Sequence, residues 1–179
     1  MVEDIILVKR LRHGDQNALR AIYLKYKDDM LTVAACLLAD SAEAEDCLHD
    51  VFVRFAANAG DFRLRRSLKN FLITCIANRA RDWLRQKARQ PAALEQIPDP
   101  AGIATDPERQ GLESEESDRL IHALAELPPE QREVIVLHLQ GELTFKLIAS
   151  ELGISINTVQ SRYRYGIDKL RKLLTGAQP

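Results

Sequence analysis

Between Glu151 and Leu170 the chain reads ELGISINTVQSRYRYGIDKL, a glycine between apolar residues and then a serine-led stretch with two arginines flanked by tyrosines. Wound as a helix, this stretch puts Asn157, Gln160, Ser161 and Arg164 on one side, with Arg171 two turns further on. Val159, Tyr163, Gly166, Ile167, Leu170 and Leu174 form an apolar stripe on the other. Amide, hydroxyl and guanidinium groups are the ones that hydrogen-bond base edges in a major groove. Arg162, Tyr165 and Lys169 fall on the flanks, better placed for phosphates than for bases.

A second chemistry-bearing stretch precedes it. Arg81, Arg85 and Arg89 make an i, i+4 ridge with Asn78 and Asp82 beside it, while Leu68, Leu72, Ile76 and Trp83 share the opposite face. The helix is expected to have an apolar back, Trp83 included, and a cationic front. In the loop before it Phe62 has no helix face to fill, so it is suited to stacking on an unpaired base. A third stretch has the opposite sign. Glu43, Glu45, Asp46 and Asp50 surround Leu48, Val51, Phe52 and Phe55, a surface that repels DNA and suits a basic protein. Favourable charge at a helix N-terminus accounts for Glu43 and Glu45 but not for Asp50.

These side chains need a helical scaffold, and the apolar spacing predicts one almost everywhere, with no sustained alternation for a strand. A first helix begins over Ile5 to Leu11; Asp15 caps a second that ends near Asp40; Ser41 caps a third that stops by Gly60; Ser67 caps a fourth running to about Arg89. RQPAALEQIPDPAGIATDPERQGLE then carries four prolines, two glycines and an acidic excess without apolar period, which reads as a linker dividing the chain. Beyond it DRLIHALAEL, PPEQREVIVLHLQ, TFKLIASEL and SINTVQSRYRYGIDKLRKLL read as four more helices, with Pro129 suited to a first turn. The last two, hinged at Gly153, have the requirements of a helix-turn-helix: Ala149 where helices cross, a glycine for the left-handed turn, and Ile148, Leu152, Ile154 and Val159 to hold the angle. The expected fold is all-α: two small helical domains, 1–90 and 117–179, joined by an acidic linker at 91–116.

The formal net charge of -1 conceals this division. Residues 1–90 hold 16 basic and 12 acidic side chains, residues 91–127 hold 2 and 9, and residues 128–179 hold 7 and 5. Nine Lys/Arg against two Asp lie between Asp61 and Arg89, the footprint a polyanion partner requires, although a basic run is more often a solvated face. Cys36, Cys47 and Cys75 are odd in number and sit far apart on apolar stripes, which argues for buried thiols over disulfides or a metal site. No run reaches the length of a membrane span and the start is too acidic for a signal peptide, so the chain is expected in the cytoplasm. No cofactor is expected.

Three spaced motifs together resemble the bacterial sigma factors of the extracytoplasmic function (ECF) group, group 4 of the sigma-70 family. EAEDCLHDVF at Glu43 to Phe52 is similar to their polymerase-binding helix. Phe71, Leu72, Asn78, Asp82, Leu84 and Arg85 match the spacing of their minus-10 pattern, and LPPEQREVIVLH, LTFKLIASELGIS and TVQSR match their region 4. The resemblance implies that the first half docks on the β′ clamp of core RNA polymerase through Asp46, His49, Asp50 and Phe52. It implies capture of the melted minus-10 strand by Phe62, Arg63 and Lys69 of the loop and by Asn78, Arg81 and Arg85 of the helix. Region 4 would meet the β flap and read the minus-35 duplex through Asn157, Gln160, Ser161, Arg162 and Arg164, and the linker would thread the polymerase interior. Many relatives are held inactive by an anti-sigma factor, so one is an implied partner alongside promoter DNA. Asn157 stands where the group has glycine, Gln160 where a basic residue is frequent, and YRYG replaces Leu-x-Arg-Ala, so promoter sequence does not carry over.

Two other classes compete. A stand-alone regulator would use only the C-terminal helix-turn-helix. A nuclease would use Asp61 and Asp82, but no phosphate-cradling glycine loop, metal-ligand cluster or nucleophile–histidine pair supports an enzyme.

Overall fold

A computed structural model describes residues 2–64, 67–89 and 112–176, and among them the chain forms eight helices and no strand. These are α1 (Val2–Arg12), α2 (Gln16–Leu38), α3 (Ser41–Ala57), α4 (Leu68–Arg89), α5 (Leu112–Ala125), α6 (Pro129–Leu139), α7 (Phe145–Leu152) and α8 (Ile156–Thr175). Most of the stretch assigned to the linker, and Arg65 and Arg66 of the loop, lie outside the described residues.

The helix ends follow side-chain chemistry. The Asp15 carboxylate accepts from the Asn17 N–H at 2.9 Å and starts α2. At α3 the cap is one residue earlier than the sequence suggests: Asp40, in extended conformation, accepts from the Glu43 N–H at 3.1 Å, and Ser41 is already helical. Helix α2 stops at Ala39, whose φ of 54° is left-handed. Helix α5 starts at Leu112, so residues 112–116, assigned above to the linker, are helical. Their glutamates read as linker composition, yet acidic residues also favour a helix N-terminus.

Helix α2 is the hub. Helices α1, α3 and α4 pack on it, and α5 and α6 of the second half pack on it as well. All six residues from Val33 to Leu38 are buried, so the C-terminal part of α2 is covered all round. Ile22, Met30, Leu68, Leu72, Ile73 and Ile76 are fully buried in the first half, and Val134, Val136, Leu137, Leu143 and Ile148 in the second. Burying each such side chain contributes roughly 1.5–3 kcal/mol. Helix α1 is tied on by the buried Asp4, which accepts from Lys25 Nζ and Tyr26 Oη at 2.8 Å each. Burial opposes ionisation of Asp4, but these two donors outweigh it and lower its pKa.

Candidate nucleic-acid and polymerase interfaces

In the second half two glycines carry the geometry. Gly153 ends α7 at φ 65°, where any other residue would be strained, and its N–H returns to the Ala149 carbonyl. Thr144 and Ser155 cap the two helices through the N–H groups of Leu147 at 3.3 Å and Thr158 at 3.0 Å. Ile148, Ala149 and Val159 are buried at the crossing, with Leu152 and Ile154 half-buried beside them. Gly166 lets α8 lie against α6: a Cβ there would stand 2.6 Å from Ile135 Cδ1 and 3.1 Å from Gln131 Cβ. Tyr163 fills the same side, its ring 5.1 Å from His138 and 5.2 Å from Phe145. Leu174 departs from the predicted stripe, since it is exposed in the last turn of α8.

The opposite side of α8 is bare. Asn157, Gln160 and Arg164 are exposed; Ser161 and Arg162 are half-buried and reach only the edge of that face. The Arg164 guanidinium lies 5.1 Å over the ring of Tyr165, itself well exposed, which pre-orders a long side chain that would otherwise be free. The arrangement is a rigid helix N-terminus bearing amide and guanidinium groups outward, able to enter a major groove.

The six residues expected at the minus-10 strand do not form one surface. Phe62, Arg63 and Asn78 line an open cleft of about 900 Å³ together with Asn70, Phe71 and Thr74. Arg81 and Arg85 instead line a groove between α4 and α6, beside Pro129 and Glu133. Lys69 is turned to Asp29 and Glu142. Phe62 is not the free loop aromatic expected above: its ring packs 5.1 Å from Phe55 and 4.7 Å from Phe71, so only part of it faces the cleft. Asn70 and Thr74 were missed, although with Asn78 they form an i, i+4, i+8 polar stripe on α4 that spacing alone discloses. Trp83 is half-buried against the core, with Lys87 Nζ 4.6 Å over its ring.

On α3, Asp46 and His49 are exposed in line with Val53. Asp50 is half-buried because Arg79 of α4 donates to it at 2.8 Å, an ion pair that raises the arginine's pKa further. Phe52 lies in the core at 8% exposure, and Tyr23 of α2 packs edge-on over it at 4.9 Å, so Tyr23 is the aromatic this surface presents. Cys36 and Cys47 are buried and Cys75 is half-buried, and desolvation pushes all three thiols up to about 11. No helix among the described residues is long and apolar enough to cross a membrane.

Residues 22–90 match the profile of sigma-70 region 2, and residues 117–170 that of sigma-70 region 4. The chain is 30% identical to the ECF RNA polymerase sigma factor SigW of Bacillus subtilis over 93% of its own length and 94% of the relative's. It is likewise 30% identical to the RNA polymerase sigma factor CarQ of Myxococcus xanthus, over 93% and 95%. Its fold is similar to that of CnrH, solved with the cytosolic domain of CnrY, at a TM-score of 0.70 and 23% identity over 98% of this chain and 99% of that one. The same TM-score and identity hold for RpoE of Bartonella quintana, solved with the anti-sigma factor NepR, over 89% and 98%.

Proposed function

The chain belongs to the extracytoplasmic function sigma factors of the sigma-70 family, and from that membership we propose which of its surfaces do which part of the work. It is a non-enzymatic factor that binds core RNA polymerase and promoter DNA to direct transcription initiation. The observation that carries this over a stand-alone regulator is that region 2 and region 4 occur in order along one chain, each matched on its own.

In our reading residues 1–90 form the polymerase and minus-10 half, and the half that begins at α5 reads the minus-35 duplex. Asp46, His49 and Asp50, with Phe52 supporting Tyr23 from below, meet the β′ clamp. Phe62, Arg63, Lys69, Asn78, Arg81 and Arg85 take the minus-10 strand; Asn157, Gln160, Ser161, Arg162 and Arg164 take the minus-35 groove, and region 4 rests on the β flap. The place of action is the cytoplasm, where polymerase and DNA are. An anti-sigma partner belongs to the same reading, since the similarly folded RpoE was solved in complex with the anti-sigma factor NepR.

Run-off transcription with core polymerase and promoters selected by the reconstituted holoenzyme tests the assignment: a promoter-dependent transcript is expected, and its absence together with absence of core binding refutes it. Docking is tested by charge reversal. Asp50→Arg places a cation against a basic partner and against Arg79, and the exposed Asp46→Arg does the first without the second. Both should weaken core binding by at least roughly tenfold, because like charges set against one another across an interface cost several kcal/mol. Undiminished affinity of Asp46→Arg for core in a competition assay removes this face from the interface.

A further inference from the structure

Two of the cations assigned to the minus-10 strand are already occupied by carboxylates of the second half. Arg81 donates to Glu133 Oε1 of α6 through Nε at 3.0 Å and Nη2 at 2.5 Å. Lys69 Nζ lies 2.9 Å from Glu142 Oε1, in the turn between α6 and α7, and 3.0 Å from Asp29 of its own half. The Arg81–Glu133 pair is shielded, with side-chain exposures of 26% and 16%, whereas in the other pair Lys69 is 21% exposed and Glu142 69%. The turn is pressed onto α4: a Cβ at Gly141 would stand 2.8 Å from Ile73 Cγ2, and Glu142 next to it takes a left-handed φ of 56°. Leu147, Ser150 and Glu151 of α7 form one wall of the cleft whose other wall is Phe62, Asn70 and Asn78.

From this arrangement we propose that Glu133 and Glu142 are an internal occupant of the minus-10 cations, placed where strand phosphates would lie, so that the free chain holds itself closed against single-stranded DNA. The proposal rests on the assignment of Lys69 and Arg81 made above.

Distance requires the closed form to open. Elements named for positions 25 base pairs apart are separated by about 85 Å along B-DNA at ~3.4 Å per pair. A compact body of this length is only ~40 Å across. The α4 and α8 faces therefore cannot serve both elements while α6 lies on α2 and α4. The roughly 20 residues between α4 and α5 reach ~70 Å when extended, enough for the halves to part. On parting, Lys69 and Arg81 exchange a carboxylate for a phosphate. Carboxylate and phosphate are alternative acceptors for the same N–H donors, so closure and strand capture exclude one another.

Two measurements on the full chain test this. A carbodiimide, which adds no spacer between the amine and the carboxyl it couples, should join Lys69 to Glu142 within the free monomer at low salt and fail to do so in holoenzyme, as read by peptide mass spectrometry. In fluorescence anisotropy, E133Q/E142Q should bind a labelled mixed-sequence single strand roughly three- to tenfold more tightly than the parent, with a steeper salt dependence, since two cations are released to phosphates. Circular dichroism establishes that the variant is folded. Absence of the Lys69–Glu142 product in the free chain, or equal strand affinity, overturns the proposal. If adding K69Q/R81Q to E133Q/E142Q leaves strand binding unchanged, the minus-10 assignment of these two residues falls and the proposal falls with it. Promoter-dependent run-off by the double variant would in each case leave the sigma-factor role standing.

Discussion

Holoenzyme carrying Arg164→Ala is expected to lose discrimination at one step of the minus-35 element, by about 1–3 kcal/mol, while binding core polymerase as before. The expectation comes from position. Arg164 is exposed on the open side of α8, and Tyr165 lies beneath its guanidinium, so in the proposed readout the side chain would enter the groove with little left to order. Removing it deletes a donor fork without disturbing the packed side, where Tyr163, Gly166 and Leu170 face α6 and its neighbours. Promoter selection with parent and variant holoenzymes reads the result directly: the variant's consensus should be relaxed at one or two adjacent minus-35 positions and unchanged at minus-10. A consensus that is equally sharp in both would remove Arg164 from base readout. Loss of core binding along with selectivity would mean that the helix, and not the contact, had been damaged. Arg162, half-buried on the flank, predicts the contrasting signature, a uniform loss across sequences.

The largest expected effect on stability belongs to a residue outside every DNA face. Arg132 of α6 donates to the carbonyls of Leu124 at 2.8 Å, Ala125 at 2.6 Å and Leu127 at 3.4 Å, closing the end of α5. Its Nη1 reaches across to the Leu37 carbonyl at 3.0 Å, in the last turn of α2. One cation thus sits at the carbonyl ends of two helices in different halves, where both helix dipoles favour it. Desolvation lowers its pKa, but a guanidinium remains charged. Arg132→Met keeps the stem and strands these acceptors, each at a cost of about 1–3 kcal/mol if water does not replace the donor. The Leu124 carbonyl keeps the Leu127 N–H at 3.1 Å, and with water reaching most of the other three a total near 3 kcal/mol, roughly 10 °C in Tm for a chain of this size, is expected. Thermal unfolding followed by circular dichroism measures it. Arg132→Lys should not rescue, because an ammonium at one point cannot serve carbonyls on two helices. A Tm for Arg132→Met within about 2 °C of the parent would show that water satisfies these carbonyls and that Arg132 is dispensable.

Much of this was legible in the residues. Apolar spacing announced the helices, and Asp15, Ser155 and Gly153 marked three of their ends because caps are local: a side chain meets a backbone group two to four residues away. The face of α8 was legible for the same reason, as helical periodicity by itself separates Val159 and Tyr163 from Gln160 and Arg164. Apart from the α3 cap and the start of α5, the errors arose where the deciding neighbour sits on another element. Phe62 looked free in its loop, yet Phe55 and Phe71 partner it. Phe52 looked like a surface anchor, yet Tyr23 covers it. Asp50 looked like an unexplained anion, yet Arg79 answers it.

Local order alone thus determined a helical chain in two parts, with an outward polar face on α8 and a cationic one on α4, because helix periodicity, caps and proline act within a few residues. One local signal also pointed beyond its own half: Val33 to Leu38 is apolar without interruption, and a helix apolar on every side must be covered on every side. What covers it, and which of the cations on α4 face solvent, only the tertiary structure decided. Glu133 and Glu142 lie more than fifty residues from Arg81 and Lys69, and no periodicity relates them. Their pairing follows from how α6 lies across α2 and α4, a placement set by packed volume and by Arg132 at two helix ends.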